Sequence, residues 1–512
     1  MRTLRVLVTA LFGFCFGLIA SLGFVPFGIW PMTIAGLAAF MVFTIRCSGR
    51  MSALAGYSFG IGLFGVTVSY VSVMGIWIGV ALVAVLSLYT AIYGIVQNKI
   101  QRFKIWPLLV PAAWVAMEFC WSRFPLGGFG WVRLAFTSPD QPIGGLLWLL
   151  AASGIGYLIA FCASCLAAMV SKLVLGKHRS VLWLIPVSAI FVAGVIGQTF
   201  IPSKDGEQQV SVGMVQGDVA GSAGPRALGY ARSVTNNHFS ETVLLLAKAR
   251  SENIPIDFIL WPENSSDHDP TVDVKTEQMV QKTIELGQSP LFMGAVMEGP
   301  GEDERQTTSL WYDADGAIIG RHDKRNAVPF GEYTPFKDLV FKLVPMAKMV
   351  GRQTVEGSQP GVLDVLINEK PLKVGTIICF ELAFDDTIYD LAKKDAQLIV
   401  VQSNNSTYTG TFQPKQQFQI TRVRAMELAQ PIVVSTTSSF SGHIDEHGRV
   451  IDRTEEATSA SRIYKVPIGT VKTPAVYVGK VVDYLCLTVT LLSIGATVVK
   501  RRPRHTKINF HD

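Results

Sequence analysis

The sequence predicts two parts, an α-helical membrane domain of about eight spans and an extracytoplasmic α/β domain layered on a buried sheet. Three observations carry that reading. The chain of 512 residues is 49% apolar and only 16% charged, a balance usual for proteins partly embedded in a bilayer. The apolar residues concentrate in the first 200 positions and in a short stretch near the end. Between them short apolar runs alternate with amphipathic ones, as strands and helices do when they pack in layers.

Stretches of spanning length fall at 6–24, 29–45, 55–73, 75–97, 105–120, 152–174, 181–199 and 480–498. A helix needs about 17–25 such residues to cross the hydrocarbon core, where it satisfies its own backbone hydrogen bonds. The 105–120 stretch is short and contains Glu118. Basic residues occupy every second loop: Arg2 and Arg5, Arg46 and Arg50, Lys99 to Lys104, Lys177 and Arg179, then Lys500 to Lys507. The positive-inside rule then puts both termini in the cytoplasm and residues 201–478 outside. Removing the 105–120 span would break that alternation, so the charges support it. A cleaved signal peptide is the alternative for the first span, but no small-residue cleavage site follows it. The expected organisation is a seven-span domain over 1–200, an extracytoplasmic domain over 201–478, a last span over 479–500 and a basic cytoplasmic tail over 501–512.

The net charge of +6 is modest, and no dense basic run with interleaved aromatics is present, so nothing points to nucleic acid. No histidine cluster has zinc-type spacing, and neither a metal nor another cofactor is implied. Cys15, Cys47, Cys120, Cys162, Cys165 and Cys486 lie in or beside spans, leaving Cys379 alone between about 200 and 478. A domain outside the cytoplasm is where disulfides form, yet this one can make none internally. Cys162 and Cys165 have redox-type spacing, but within an apolar helix they read as small packing residues.

In the middle region, "QQVSVGMVQGD" reads as a strand, "HFSETVLLLAKARSE" as an amphipathic helix, and "DFILWPENSS" as a strand over 256–261 that stops at Pro262. A helix "KTEQMVQKTIELG" and a buried strand "PLFMGAVME" follow, then a hairpin around Asp315-Gly316. The strand "KVGTIICFE", helix "DDTIYDLAKKD" and strand "AQLIVVQSNN" come next. A long helix over about 413–429 and the strands "PIVVSTTSS" and "SGHIDEHGRVIDRT" complete the series.

Three strand ends carry chemistry, and in open α/β sheets strand ends are where ligands bind. Glu263 follows the strand 256–261, Lys324 follows the hairpin with Glu332 eight positions on, and Cys379 ends "GTIIC". Singly these are an end cap, a solvated charge and an inert packing thiol. Together they supply what covalent acyl transfer needs: a nucleophile, a base and a cation for the oxyanion. Asn404 and Asn405 end the next strand, where their amides either line a pocket or form a turn. Glu118 and Arg133 flank the outer side of the spans, where charges are functional candidates.

The residues "WPENSS", "KRNAVPFGEYTPF" and "GTIICFE" resemble the Glu–Lys–Cys signature of the nitrilase superfamily. With "GFVPFGIWP", "FGWVRLAF" and "QFQITRVRAMELAQPIVVSTTSS", nearly the whole chain resembles the apolipoprotein N-acyltransferase family of bacterial membrane enzymes. The resemblance implies a nitrilase-like αββα sandwich in the cell membrane's outer aspect. It implies an activity that moves an acyl chain from a phospholipid donor, through a cysteine thioester, to the α-amino group of a diacylglyceryl apolipoprotein acceptor. It makes Cys379 the nucleophile, Glu263 the general base and Lys324 an oxyanion donor beside the Phe380 amide. Glu332 and Glu381 match supporting positions. Asp218 stands where the family commonly has Asn, a Trp just downstream is missing, and Phe380 replaces the commoner Tyr, so contacts in the 218–230 loop are open. "FGEYTPFKDLVFKLVPMAKMVG" reads as an amphipathic arm on the bilayer or as a surface helix packed on the domain. A membrane-tethered amidase and a transporter are the competing functions. The first needs no eight-span base; the second lacks charged or broken helices at mid-span.

Overall fold

The computed structural model describes residues 2–203, 208–219, 231–343, 348 and 350–499. The expected basic tail, most of the 218–230 loop and part of the arm lie outside the described residues.

Helices form at all eight expected segments: α1 Arg2–Ser21, α2 Pro31–Thr44, α3 Gly49–Thr67, α4 Ile76–Ile100, α5 Trp106–Trp121, α6 Leu147–Leu173, α7 Leu184–Gln198 and, at the far end of the chain, Ala475–Val499. Among the described residues, five segments are long and apolar enough to cross a membrane: Arg2–Ser21, Ile76–Ile100, Pro142–Leu173, His178–Gln198 and Ala475–Thr497. With 14 and 16 residues, α2 and α5 reach only about 21–24 Å at 1.5 Å per residue. Both bury most of their residues among the other helices.

The domain between α7 and the last helix contains β1 Gln209–Gln216, α8 Ser233–Glu252, β2 Phe258–Leu260, α9 Val274–Gly287, β3 Leu291–Glu298, β4 Glu304–Tyr312, β5 Ile318–Asp323 and α10 Lys337–Leu343. It continues with β6 Gln353–Thr354, β7 Val362–Ile367, β8 Lys370–Ile378, α11 Asp385–Lys393, β9 Leu398–Ser403, α12 Gln413–Leu428 and β10 Ile432–Thr436. β11 Gly442–Ile444, β12 Val450–Arg453 and β13 Ala460–Pro467 precede the closing helix, α13.

Two mixed sheets result, ordered β13-β1-β2-β3-β4-β5, with β6 beside β4, and β12-β11-β10-β9-β8-β7. In each the centre is parallel: β1-β2-β3 in one and β8-β9-β10 in the other. Parallel strands are covered on both faces, which is why these read as unbroken apolar runs. One core joins the two sheets through Val212, Leu260, Phe292 and Trp311 on one side and Val374, Leu398, Val400 and Val433 on the other. On the outer face of the first sheet, Ile259 and Met293 pack with Leu245 of α8 and Val280 and Ile284 of α9. The outer face of the second packs Ile377, Ile399 and Val434 against α11 and α12, and that core runs without a break into the α1–α6 bundle.

The described strands include three absent from the sequence reading: β6, β7 and β13. β7 buries alternate residues and returns into β8 through Asn368 and Glu369, both at positive φ. Half-exposed edge strands of this kind lack the apolar runs that marked the others. The strand expected over 256–261 is confined to Phe258–Leu260, although the Trp261 amide still donates to the Phe292 carbonyl.

Candidate active site

The strand ends converge where the two parallel centres face one another. Cys379 leaves β8 at φ 52° and opens a tight 3₁₀ turn, Cys379–Ala383. A left-handed conformation is uncommon for a residue with a side chain; here it turns the thiol out of the sheet at a sharp elbow. Glu381 secures that elbow: one carboxylate oxygen accepts the Ile378 amide at 2.7 Å and the other the Arg325 amide at 2.6 Å. Burial acts to raise the Glu381 pKa, but His322 and these two amides outweigh it and hold the group below the usual carboxylate range. His322 Nε2 lies 3.9 Å away.

Lys324 is almost fully buried and its ammonium lies between two carboxylates, 2.8 Å from Glu263 Oε1 and 2.7 Å from Glu332 Oε1. Glu263 Oε2 accepts the Asn404 amide at 2.7 Å, and Glu332 Oε2 accepts the Val328 amide at 2.7 Å. Gly294 lets β3 pass this close, since a Cβ there would fall 2.5 Å from the Glu263 Cα. Burial would lower the Lys324 pKa, yet the two carboxylates raise it well above its ordinary value, so the lysine stays a cation. Burial raises Glu263 in spite of Lys324. Burial and the Glu263 charge also push the Cys379 thiol up, with Lys324 opposing.

The sequence-predicted residues are thus distributed as follows. Glu263, Lys324, Glu332 and Cys379 share one cluster, and Glu381 braces it from behind. Asn404 reaches Glu263 through its backbone, while its side-chain oxygen accepts from Ser406 and Thr437. The Asn405 amide donates to Gln413 and Gln417. Asp218, at φ 64°, donates its amide to the Thr437 carbonyl. Phe380 stacks on Trp131, with ring centroids 5.8 Å apart and planes at 19°.

A family model described as the apolipoprotein N-acyltransferase N-terminal domain matches residues 16–165, and one described as carbon-nitrogen hydrolase matches residues 219–473. The chain is 24% identical to the apolipoprotein N-acyltransferase of Shewanella oneidensis, over 94% of each chain. It is 27% identical to that of Coxiella burnetii, over 92% of this chain and 98% of the other. The chain belongs to the apolipoprotein N-acyltransferase family. An amidase of the nitrilase superfamily from Nesterenkonia aligns with 54% of this chain and 95% of its own, at 13% identity and a TM-score of 0.38.

In this family member several site neighbours escaped sequence reasoning. Gln417 of α12 lies with its Oε1 3.7 Å from the Cys379 sulfur. Tyr408 is close enough that the Cys379 charge adds to burial in pushing its phenol up to about 12, and its ring meets Tyr70 of the helical half edge-on at 5.4 Å. The signal for Gln417 was the glutamine-rich start of α12, "QPKQQFQ", whose glutamines are buried. A second charged cluster, which joins Arg133 and Glu118 to the catalytic domain, left only those two residues visible in the sequence.

Proposed function

We propose that the chain moves an acyl chain from a membrane phospholipid to a thioester on Cys379, and from there to the N-terminal α-amino group of a diacylglyceryl-cysteine apolipoprotein. The observation that carries this is a lysine ammonium clasped by the buried Glu263 and the partly buried Glu332 beside a partly buried thiol on a left-handed elbow.

Glu263, its proton affinity raised by burial, takes the Cys379 proton as sulfur attacks the ester carbonyl carbon. The oxyanion that forms is met by the Lys324 ammonium and the Phe380 amide. Collapse breaks the acyl C–O bond, and Glu263 returns the proton to the departing lysophospholipid alkoxide. In the second half the acceptor amine attacks the thioester carbonyl and gives its proton to Glu263, and as the C–S bond breaks Glu263 passes that proton to the departing Cys379 thiolate. Glu332 holds Lys324 in place, Glu381 holds the elbow, and Asn404 fixes Glu263 through its amide.

On this reading the two sheets and their flanking helices form the nitrilase-like αββα sandwich, residues 201–478 lie outside the cell membrane, and the eight helical segments are eight spans with both termini cytoplasmic. The packing of Phe380 on Trp131 and of Tyr408 on Tyr70 supports a lipid donor, because it seats the nucleophile directly against the helical half. The arm would admit that lipid. Phe336 and Leu339 are exposed on and beside α10. Charging Phe341 and Leu343 should slow phospholipid use and leave Cys379 reactive towards a small soluble thiol reagent; equal losses in both would count against it.

Intact mass after incubation with a defined phospholipid tests the reaction. An acyl-sized gain is expected on the wild type, removed by hydroxylamine and absent from Cys379→Ser. No adduct from folded protein across several lipid classes would favour a membrane-tethered amidase.

A further inference from the structure

The motif "FGWVRLAF" does not enter the chemistry above, yet it touches the elbow along most of its length. The rings of Phe129 and Trp131 lie 6.0 and 5.8 Å from Phe380. At Gly130 the backbones meet: a Cβ there would fall 2.8 Å from the Ala383 carbonyl oxygen. Arg133, only 4% exposed, donates from one Nη to both oxygens of Asp385, at 2.7 and 2.8 Å. Residues 129–133 of the helical half therefore follow residues 380–385 from the oxyanion amide to the first turn of α11.

The grip is anchored at its other end. Arg133 Nη2 donates to Ser153 of α6 at 2.9 Å, and Ser153 donates to Asp483 of α13 at 2.6 Å. Arg424 of α12 completes it, 2.9 Å from Asp385 and donating to the Leu382 carbonyl at 2.8 Å. A buried guanidinium shared between a carboxylate and a hydroxyl has one geometry and little freedom.

We propose that Arg133, with Gly130 and Trp131, is a positioning residue: the helical half sets the direction of the Phe380 amide and so the depth of the oxyanion site. The proposal rests on the thioester chemistry above. Donors aimed at an oxyanion act over tenths of an ångström, and a misplacement of about 1 Å costs roughly a hundredfold in rate.

The test uses the full chain in detergent micelles doped with a defined phospholipid. Thioester formation is followed by mass against lipid mole fraction, and Cys379 alkylation by iodoacetamide is followed in parallel. Arg133→Gln and Gly130→Ala should each lower the maximal acylation rate at least about tenfold, with apparent KM and alkylation rate within about twofold. Arg133→Lys should retain more rate than Arg133→Gln. An unchanged maximal rate, or a raised KM at unchanged rate, would overturn the proposal, as would parallel loss of alkylation. Should Arg133→Gln fail to accumulate, Gly130→Ala decides, because it removes no bond and adds only one methyl group against the elbow. A wild type that forms no thioester would instead refute the function proposed above.

Discussion

Two buried charged clusters lie on either side of the elbow, and they are arranged in opposite senses. On one side a cation, Lys324, lies between the carboxylates of Glu263 and Glu332. On the other a carboxylate, Asp385, lies between the guanidiniums of Arg133 and Arg424, with Glu427 pairing Arg424 in turn. The first has surplus negative charge beside a thiol, so burial and that charge raise the proton affinity of both Glu263 and Cys379. In the second, burial acts to raise Asp385 but the two arginines overwhelm it and keep the carboxylate ionised. Similar groups at similar depth thus yield a proton carrier in one place and a rivet in the other, according to which sign is outnumbered.

The sharpest way to break the comparison is to neutralise one carboxylate in each cluster. Glu263→Gln should lower the acylation rate about 10²–10⁴-fold, as loss of a general base does, without lowering the apparent Tm at pH 8. Asp385→Asn should act first on stability, with the rate lowered only on the scale expected of Arg133→Gln. It leaves the buried Arg133 guanidinium without its close carboxylate, while Arg424 keeps Glu427, at a cost of about 3–5 kcal/mol, so apparent Tm followed by tryptophan fluorescence should drop sharply. If Asp385→Asn melts like the wild type, the rivet reading fails.

The pH dependence of stability should differ in sign as well. Glu263 has a raised folded pKa, so the folded state holds its proton where the unfolded state has lost it, and stability falls as pH rises from the unfolded value through the folded one. The Tm of Glu263→Gln relative to wild type should therefore climb between pH 5 and 8. Asp385 has a depressed folded pKa, so its contribution is present above the unfolded value and lost as pH falls through the folded one. The deficit of Asp385→Asn should stay level from pH 8 to 5 and shrink only under more acid conditions. Matching slopes in melts of both variants would erase the distinction.

A third pair gives the smallest effect and sharpens the contrast. Arg422 of α12 meets Asp140 of the helical half at 2.7 Å, with Asp140 61% exposed. It joins the same two regions as Arg133 and Asp385, but with its carboxylate in water. Asp140→Asn should shift stability by no more than about 1 kcal/mol, with acylation unchanged.

The proposed catalytic cluster was legible because Glu263, Lys324 and Cys379 each follow the end of a different strand, and strand ends announce themselves by an apolar run stopping at a polar residue. Hydropathy placed the eight helices for the same reason: the signal is local. Arg424, Asp385 and Glu427 gave no such signal. They lie on helices whose polar residues read as solvated faces, and only the packing of α11 and α12 against the helical half turns those faces inward. Edge strands β7 and β13 were passed over because exposed and partly exposed residues interrupt their buried ones. What eluded the sequence is what depends on a partner distant in the chain.

That distance has a consequence for how the molecule is made. Asp483 belongs to the last helix, and it holds Ser153, which holds Arg133, which holds the turn after the nucleophile. During synthesis the cysteine leaves the ribosome well before residue 483 exists. Its elbow gains that brace only when the helix bearing Asp483 has packed, so on the proposed chemistry a nascent chain carries its thiol before the contacts that aim it are complete.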